Sequence, residues 1–211
     1  MKIKLVIFDF WKTLAFAPEY DPQKFYSSLG GFGIEIKGKD NAKRFSSLFS
    51  KSMRTSKNWT VFSEQLLTDL GKDKKKEDIK AFADFLKEKI SYKIYNDVKE
   101  ILNIPYEKAI LTDSARFFVE NSELKNFGRI FTPVETKSLK PDPKVFLTVI
   151  NDFKIKPEEC VIVGDDVERD LVSSKNLGMK TILIDRENRY PDYKGIKINS
   201  FGELEAALAG L

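Results

Sequence analysis

The stretch Ile3–Leu14, with the sequence IKLVIFDFWKTL, constrains the fold more than any other part of the chain. Its apolar run Leu5–Phe8 is too short for a helix and apolar on both faces, which is typical of a buried strand in a parallel sheet. The run ends on Asp9, and open α/β sheets bind their ligands at the carboxyl ends of such strands. We therefore predict that Asp9 lies at the centre of a site.

From Ala109 onward, short apolar runs alternate with helical patterns. The runs end in polar residues, and they are Ala109–Thr112, Arg129–Thr132, Cys160–Asp166 and Thr181–Asp185. Strands that are separated by helices of this length indicate βαβ units, so we predict an α/β fold with a parallel sheet. The carboxyl ends of its strands would then bring Asp9, Thr112 and the pair Asp165–Asp166 to one edge, with Lys140 close by.

Residues 15–103 carry a different pattern. Apolar residues recur there at helical spacing, as in Phe62, Leu66, Leu67 and Leu70 or in Tyr95, Val98, Ile101 and Leu102. Such stripes are typical of helices that pack against one another. We predict a helical domain over residues 15–103, inserted into a core that is formed by residues 1–14 and 104–211.

Composition excludes several kinds of chemistry. The 211 residues contain no histidine and one cysteine, Cys160, which rules out histidine-based catalysis and an internal disulfide. The net charge of +4 is modest, and the lysine-rich run Lys72–Lys80 contains no aromatic residue that could stack on a base. No apolar run is long enough to span a membrane. We therefore expect a cytoplasmic protein that binds neither nucleic acid nor membrane.

Four carboxylates recur near the predicted edge of the sheet. Asp9, Asp165, Asp166 and Asp170 cannot all ionise side by side without a compensating cation, which points to a hard, oxygen-liganded metal such as Mg²⁺. A metal beside an aspartate, with the ammonium of Lys140 and a threonine hydroxyl nearby, suits a phosphoryl group.

These motifs together resemble the haloacid dehalogenase-like hydrolase superfamily. Asp9–Leu14 resembles its first motif, and Leu111–Ser114 resembles the second, which is centred on Thr or Ser. Lys140–Pro143 resembles the lysine motif, and Val163–Asp166 followed by Asp170 resembles the acidic metal motif. The resemblance implies a Rossmann-like sheet with helices on both faces, and a helical cap between the first and second motifs.

The resemblance also implies roles for the matching residues. Asp9 would be the nucleophile, assisted by Thr112 and Lys140, and Thr112, Asp113 and Lys140 would bind a small phosphorylated substrate. Mg²⁺ would be held by Asp9, the backbone carbonyl of Trp11 and Asp165, completed by Asp166 or Asp170. Arg44, Arg54 and Trp59 are candidates for cap residues that face the site, and ordinary surface or core positions are the simpler interpretation of all three. The oligomeric state is left open.

The first motif departs from the family pattern at two positions. Phosphatases of this family carry a general acid/base Asp where this chain has Trp11, and a Gly where it has Lys12. General acid–base assistance contributes roughly 10²–10⁴-fold to a rate. Three interpretations follow: a phosphatase or phosphotransferase that is slow or restricted to good leaving groups, a binding or regulatory protein with impaired catalysis, or a 2-haloacid dehalogenase. Dehalogenases carry Tyr at the position of Trp11 and need no metal, but they have small polar residues at the positions of Asp165 and Asp166.

Overall fold

A computed structural model describes residues 2–18, 21–72, 75–119, 124 and 127–211. Its strands are β1 (Leu5–Phe8), β2 (Ala15–Phe16), β3 (Lys93–Ile94), β4 (Glu107–Leu111), β5 (Arg129–Phe131), β6 (Cys160–Gly164), β7 (Lys180–Ile184) and β8 (Ile196–Ile198). Its α-helices are α1 (Pro22–Ser28), α2 (Gly38–Thr55), α3 (Trp59–Asp69), α4 (Lys76–Lys89), α5 (Arg116–Val119), α6 (Pro133–Thr136), α7 (Pro143–Phe153), α8 (Ser173–Asn176) and α9 (Leu204–Ala209).

Six of the strands form one parallel sheet in the order β5-β4-β1-β6-β7-β8. Strand β1 pairs with β4 on one side and with β6 on the other, where Phe8 lies opposite Ile110 and Val163. Strands β4 and β5 follow one another on one side of β1, and β6, β7 and β8 follow one another on the other side, so the strand order reverses at β1. Ligands bind at such a switch point in open α/β sheets, and Asp9 is the first residue beyond it. The predicted Rossmann-like architecture is confirmed, and strand β8 is an addition that the sequence patterns did not show.

Both faces of β1 are covered, as its uniformly apolar sequence predicts. All four of its residues are fully buried. Leu5 and Ile7 face a cluster that includes Val145 and Phe146 of α7. On the opposite face Phe8 makes edge-to-face contacts with Phe127 and Phe201, at ring-centroid distances of 5.1 and 5.7 Å.

The chain divides into two compact units. The sheet unit comprises Met1–Phe16, Ile94–Asp113 and Glu120–Leu211, and the helical unit comprises Ala17–Lys93 and Ser114–Val119. These limits differ from the boundaries drawn from sequence at three places. Residues 15–16 and 94–103, which sequence places in the helical insertion, belong to the sheet unit, and α5, which sequence places in the core, belongs to the helical unit.

Contacts within each unit give the physical reason. The backbone N–H of Tyr95 donates to the carbonyl of Leu14 at 3.0 Å, and Asp97 forms an ion pair with Arg186 at 2.8 Å. Helix α5 instead joins the aromatic core of the helical unit, where Phe117 and Phe118 lie 5.1 and 5.7 Å from Trp59 between ring centroids. None of the helices in the described ranges is both long and apolar enough to cross a membrane.

Candidate active site

Three buried carboxylates converge at the carboxyl edge of the sheet. Asp9 follows β1, Asp165 follows β6, and Asp170 lies one helical turn further along the chain. One carboxylate oxygen from each lies within 4.8 Å of the others, and the three residues are 6%, 9% and 1% exposed. We call these residues the carboxylate cluster. The sequence prediction that Asp9 and Asp165 share an edge agrees with this placement.

The conformation after β6 decides which acidic residue reaches the cluster. Residues Val167–Val172 form a π-helical turn whose N-cap is Asp166. The Asp166 carboxylate accepts hydrogen bonds from the backbone N–H groups of Glu168 and Arg169, both at 3.0 Å, so it caps the turn and remains partly exposed. Asp170 points back toward Gly164 and accepts a hydrogen bond from the Asp166 backbone N–H at 3.3 Å. Of the two candidates left open by sequence, Asp170 is the one inside the cluster.

Lys140 joins two members of the cluster. Its ammonium donates to Oδ1 of Asp170 at 2.7 Å and forms a short ion pair with Oδ1 of Asp9. Its backbone N–H donates to Oδ1 of Asp113 at 3.1 Å. Helix α7 begins immediately afterwards, with Asp142 as its N-cap and Pro143 at its first position, as the sequence predicts. The start of α7 and the Asp113 carboxylate together orient Lys140.

Thr112 and Asp113 follow β4 at the same edge. Thr112 is 1% exposed, and its backbone N–H donates to the carbonyl of Phe131 at 3.0 Å. The Asp113 carboxylate uses one oxygen for the Lys140 backbone and the other for the guanidinium of Arg169. Both oxygens of Asp113, a residue that the resemblance assigns to substrate binding, are therefore engaged by the protein itself.

Arg189 is a site residue that sequence reasoning missed. One of its terminal nitrogens donates to the Asp165 carbonyl at 2.9 Å and to the Asp165 carboxylate at 2.5 Å. The backbone N–H of Arg189 in turn donates to Asp185, the first residue after β7, at 2.7 Å. The acidic end of the run Thr181–Asp185 was the available signal, because a carboxylate after a buried strand often orders the loop that follows it.

The cluster is electrostatically crowded. Three carboxylates and the cations Lys140 and Arg189 leave a net formal charge of −1. Burial raises the pKa of Asp9 to about 7, against the lowering effect of Lys140, and the nearby Asp170 and Asp165 add to the rise. Burial and Asp170 also raise the pKa of Asp165, while Arg189 opposes that shift. For Lys140, burial favours the neutral amine, but Asp170 and Asp9 outweigh it and raise the pKa.

One oxygen of the cluster has no partner in the described part of the chain. Oδ2 of Asp9 is buried and accepts no hydrogen bond there. A buried carboxylate oxygen without a donor is unfavourable unless a ligand supplies the missing interaction. Oxygen atoms of three carboxylates, one of them unpartnered, are the ligands that a hard divalent cation such as Mg²⁺ prefers. The residues of the cluster therefore fit such a cation.

The loop after β1, Phe10–Leu14, determines what lies beside Asp9. The carbonyl of Phe10 accepts hydrogen bonds from the N–H groups of Leu14 and Ala15, both at 2.9 Å, which closes a tight turn. Lys12 adopts φ 58°, the left-handed conformation in which Gly is favoured. Trp11 is half-buried and makes an edge contact with the ring of Phe10. No ionisable side chain stands at position 11.

The three candidate cap residues lie in the helical unit and differ in their surroundings. Trp59 packs in the aromatic core of that unit, next to Phe62 and Phe117. Arg44 is exposed and lines an open cavity of about 400 Å³ together with Lys72, Ile34 and Phe45. Arg54 lies in the last turn of α2.

Comparison with known proteins identifies the relatives of the chain. A family model described as haloacid dehalogenase-like hydrolase matches residues 6–184. Glyceraldehyde 3-phosphate phosphatase of Pyrococcus furiosus is 46% identical over 43 residues, which are 20% of this chain and 18% of that protein. Pyrophosphatase PpaX of Bacillus cereus is 31% identical over 96 residues, 43% of this chain and 44% of that protein. The matches span less than half the length of these curated relatives.

Solved structures share the fold over nearly the whole chain. A 2-haloacid dehalogenase from Pseudomonas syringae has a TM-score of 0.68 at 18% identity, covering 99% of both chains. A phosphatase from Thermococcus onnurineus has a TM-score of 0.64 at 22% identity, also covering 99% of both chains. Proteins named for two different reactions thus share this architecture, so the architecture does not determine the reaction.

Proposed function

The chain belongs to the haloacid dehalogenase-like hydrolase family, and on that premise we propose that it is a Mg²⁺-dependent phosphatase or phosphotransferase that acts through an aspartyl-phosphate on Asp9. One observation carries the proposal. Asp9 stands at the switch point of the sheet with one oxygen held by Lys140 and the other buried without a hydrogen-bond partner among the described residues. Its substrate would be a small phosphorylated molecule.

The protein's own residues account for the first step. A carboxylate oxygen of Asp9 attacks phosphorus, the bond from phosphorus to the leaving oxygen breaks, and the electron pair departs with that oxygen. Lys140 has three N–H donors and uses two of them on Asp9 and Asp170, which leaves one for a phosphoryl oxygen. The buried position of Thr112 beside β4 suits a second contact to the transferred group.

Asp9, Asp165 and Asp170, with the backbone carbonyl of Trp11, would hold the cation. When bound, Mg²⁺ would offset the repulsion between the negative phosphoryl oxygens and the carboxylates. In the second step water attacks the phosphorus of the aspartyl-phosphate, the bond to Asp9 breaks, and inorganic phosphate leaves. The proton from that water passes to solvent, because Trp11 cannot accept it.

Trp11 also restricts the substrates, because it cannot protonate the leaving oxygen in the first step. Without an acid at position 11, the leaving oxygen must depart as an anion, which is hard for an alkoxide and easy for a carboxylate, a phosphate or an aryl oxide. We therefore propose acyl phosphates, phosphoanhydrides or aryl phosphates as the substrate class. PpaX of Bacillus cereus, a relative named as a pyrophosphatase, has phosphate as its leaving group and supports this choice. The relative from Pyrococcus furiosus is named for glyceraldehyde 3-phosphate, an alkyl phosphate, and does not.

The test compares leaving groups in one assay. We expect phosphate release from acetyl phosphate, pyrophosphate or p-nitrophenyl phosphate in Mg²⁺, little from glycerol 3-phosphate, and none in EDTA. Asp9→Asn should abolish turnover, whereas Asp152→Asn, which changes an exposed carboxylate paired with Arg129, should leave it unchanged. Turnover that persists in Asp9→Asn or in EDTA would contradict the proposal.

A 2-haloacid dehalogenase is the second candidate, and Trp11 favours it. An aromatic residue at position 11 suits attack on carbon, which needs no acid to protonate a halide. Lys140 and Arg189 also compensate part of the cluster charge without a metal. Chloride release from 2-chloropropionate in EDTA, lost in Asp9→Asn, would establish this alternative. A folded protein that is inactive in both assays would support a binding or regulatory role.

A further inference from the structure

We infer that Arg189 is a built-in cation that weakens the affinity of the carboxylate cluster for Mg²⁺. The inference rests on the proposed function, because it concerns the same metal. It goes further in assigning control of metal affinity to one residue outside the four family motifs.

Arg189 contacts Asp165 through two oxygens. The same terminal nitrogen of its guanidinium donates to the backbone carbonyl and to the side-chain carboxylate of Asp165. The Asp165 side chain is 12% exposed and that of Arg189 is 33% exposed. An ion pair this close at a mostly buried carboxylate is screened by water less than a surface pair. A cation that binds Asp165 must therefore share the carboxylate with Arg189 or displace the guanidinium from it.

The loop after β7 holds Arg189 in this position. Asp185 is 1% exposed, and its two carboxylate oxygens accept hydrogen bonds from the backbone N–H groups of Arg189 at 2.7 Å and Tyr190 at 2.8 Å. The guanidinium also lies 5.2 Å from the centre of the Tyr190 ring. Because hydrogen bonds to Asp185 fix the backbone of Arg189, the loop holds its side chain close to Asp165. An arginine in an unrestrained surface loop would not be held in this way.

The charge of the cluster explains the direction of the effect. With Lys140 and Arg189 in place the net formal charge is −1, and without the charge of Arg189 it becomes −2. The attraction of a divalent cation grows with the negative charge around it. Lys140 contacts both Asp9 and Asp170 and is needed for the reaction, so Arg189 is the cation whose removal leaves the catalytic residues in place.

The test is calorimetric titration of the full chain with MgCl₂. Arg189→Gln should bind Mg²⁺ about tenfold more tightly than the wild type, equivalent to ~1.4 kcal/mol. Arg189→Lys keeps the charge and should stay near the wild-type Kd. Arg129→Gln is the matched control, since Arg129 is an exposed arginine whose carboxylate partner, Asp152, lies outside the cluster. An Arg189→Gln Kd that is unchanged or weaker overturns the inference.

Thermal unfolding supplies a second readout. Together with the titration, it distinguishes a failure of this inference from a failure of the proposed function. Arg189→Gln should have a lower Tm than the wild type in EDTA, and saturating Mg²⁺ should close the gap. If Arg189→Gln does not fold, Arg189→Met removes the charge and keeps an apolar stem against Tyr190. If neither the wild type nor the charge-removing variant binds Mg²⁺, both this inference and the metal-dependent function are overturned, whereas equal measurable affinities of the two proteins overturn this inference alone.

Discussion

At the scale of single residues, Asp9 and Trp11 stand two positions apart in one loop and bear on the chemistry in opposite ways. The structure places Lys140 on one oxygen of Asp9, the residue for which we propose nucleophilic attack. Trp11 has no ionisable group, so its side chain cannot act as a general acid or base. The identities of the two residues, unlike the contact with Lys140, are read from the sequence alone. Lys12 has φ 58°, a left-handed conformation in which it costs up to about 1 kcal/mol more than Gly.

The double change Trp11→Asp with Lys12→Gly tests whether the missing acid limits alkyl phosphate hydrolysis. We expect kcat for glycerol 3-phosphate to rise roughly 10²-fold or more, which is the usual contribution of general acid–base assistance. Lys12→Gly alone is the control and should show no such rise, because it relaxes the backbone and supplies no acid. A folded double variant without any gain would count against Trp11 as the limiting residue and favour a binding role.

At the scale of elements, the π-helical turn Val167–Val172 places Asp170 in the carboxylate cluster. Its geometry depends on Gly164, the last residue of β6. A Cβ atom at position 164 would lie 2.4 Å from Oδ2 of Asp170, closer than a real contact permits. Strand β6 itself was predictable from its apolar run. The choice of Asp170 over Asp166 was not, since both are acidic and the phase of the turn depends on local hydrogen bonds.

Gly164→Ala should therefore disturb the metal site through Asp170. We expect a loss of about 1–3 kcal/mol in the free energy of unfolding, typical of overpacking, together with weaker Mg²⁺ binding in the calorimeter. Gly30→Ala is the matched control, because no atom of the described residues, its own chain neighbours aside, lies within 4 Å of the Cβ position there. Its stability should change by less than about 0.5 kcal/mol. Normal Mg²⁺ affinity in Gly164→Ala would show that the close approach at Gly164 is unimportant for the site.

At the scale of the whole molecule, long-range contacts assign segments to the two units. Helical periodicity marks Tyr95–Ile101 as apolar on one side but carries no information about which unit covers that side. Asp97 accepts from the guanidinium of Arg186, and Asp97 also accepts from the backbone N–H of Phe201 at 2.9 Å. These partners are 89 and 104 residues away along the chain. Only the folded sheet unit brings them together, so the boundary at Ile94 was not visible in the sequence.

The stability of the metal-free protein should depend on pH through Asp9. Its pKa rises from 3.8 to about 7 on folding, so between these values the folded protein holds a proton that the unfolded chain has released. Stability in EDTA should then fall as pH rises from about 4 to about 7, by up to ~1.4 kcal/mol per pH unit. Urea unfolding at several pH values measures this slope.

Two variants and the addition of Mg²⁺ test whether Asp9 causes this decline in stability with pH. Asp9→Asn should remove most of the decline, and Asp152→Asn, an exposed carboxylate, should leave it in place. Saturating Mg²⁺ should also reduce the decline, because a cation beside Asp9 favours the ionised carboxylate. A wild-type curve parallel to that of Asp9→Asn would contradict the raised pKa of Asp9.

By itself, the sequence determined the parallel sheet, the position of Asp9 at a strand end, the roles open to Lys140 and Asp165, and the absence of an acid at Trp11. Each of these follows from local pattern and residue chemistry. Only the tertiary structure decided that Asp170 enters the cluster, that Asp113 orients the backbone of Lys140, and that Arg189 pairs with Asp165. The position of Asp170 depends on the exact geometry of one turn, and the other two contacts join residues 24 or more positions apart. A short periodic sequence pattern encodes neither kind of information.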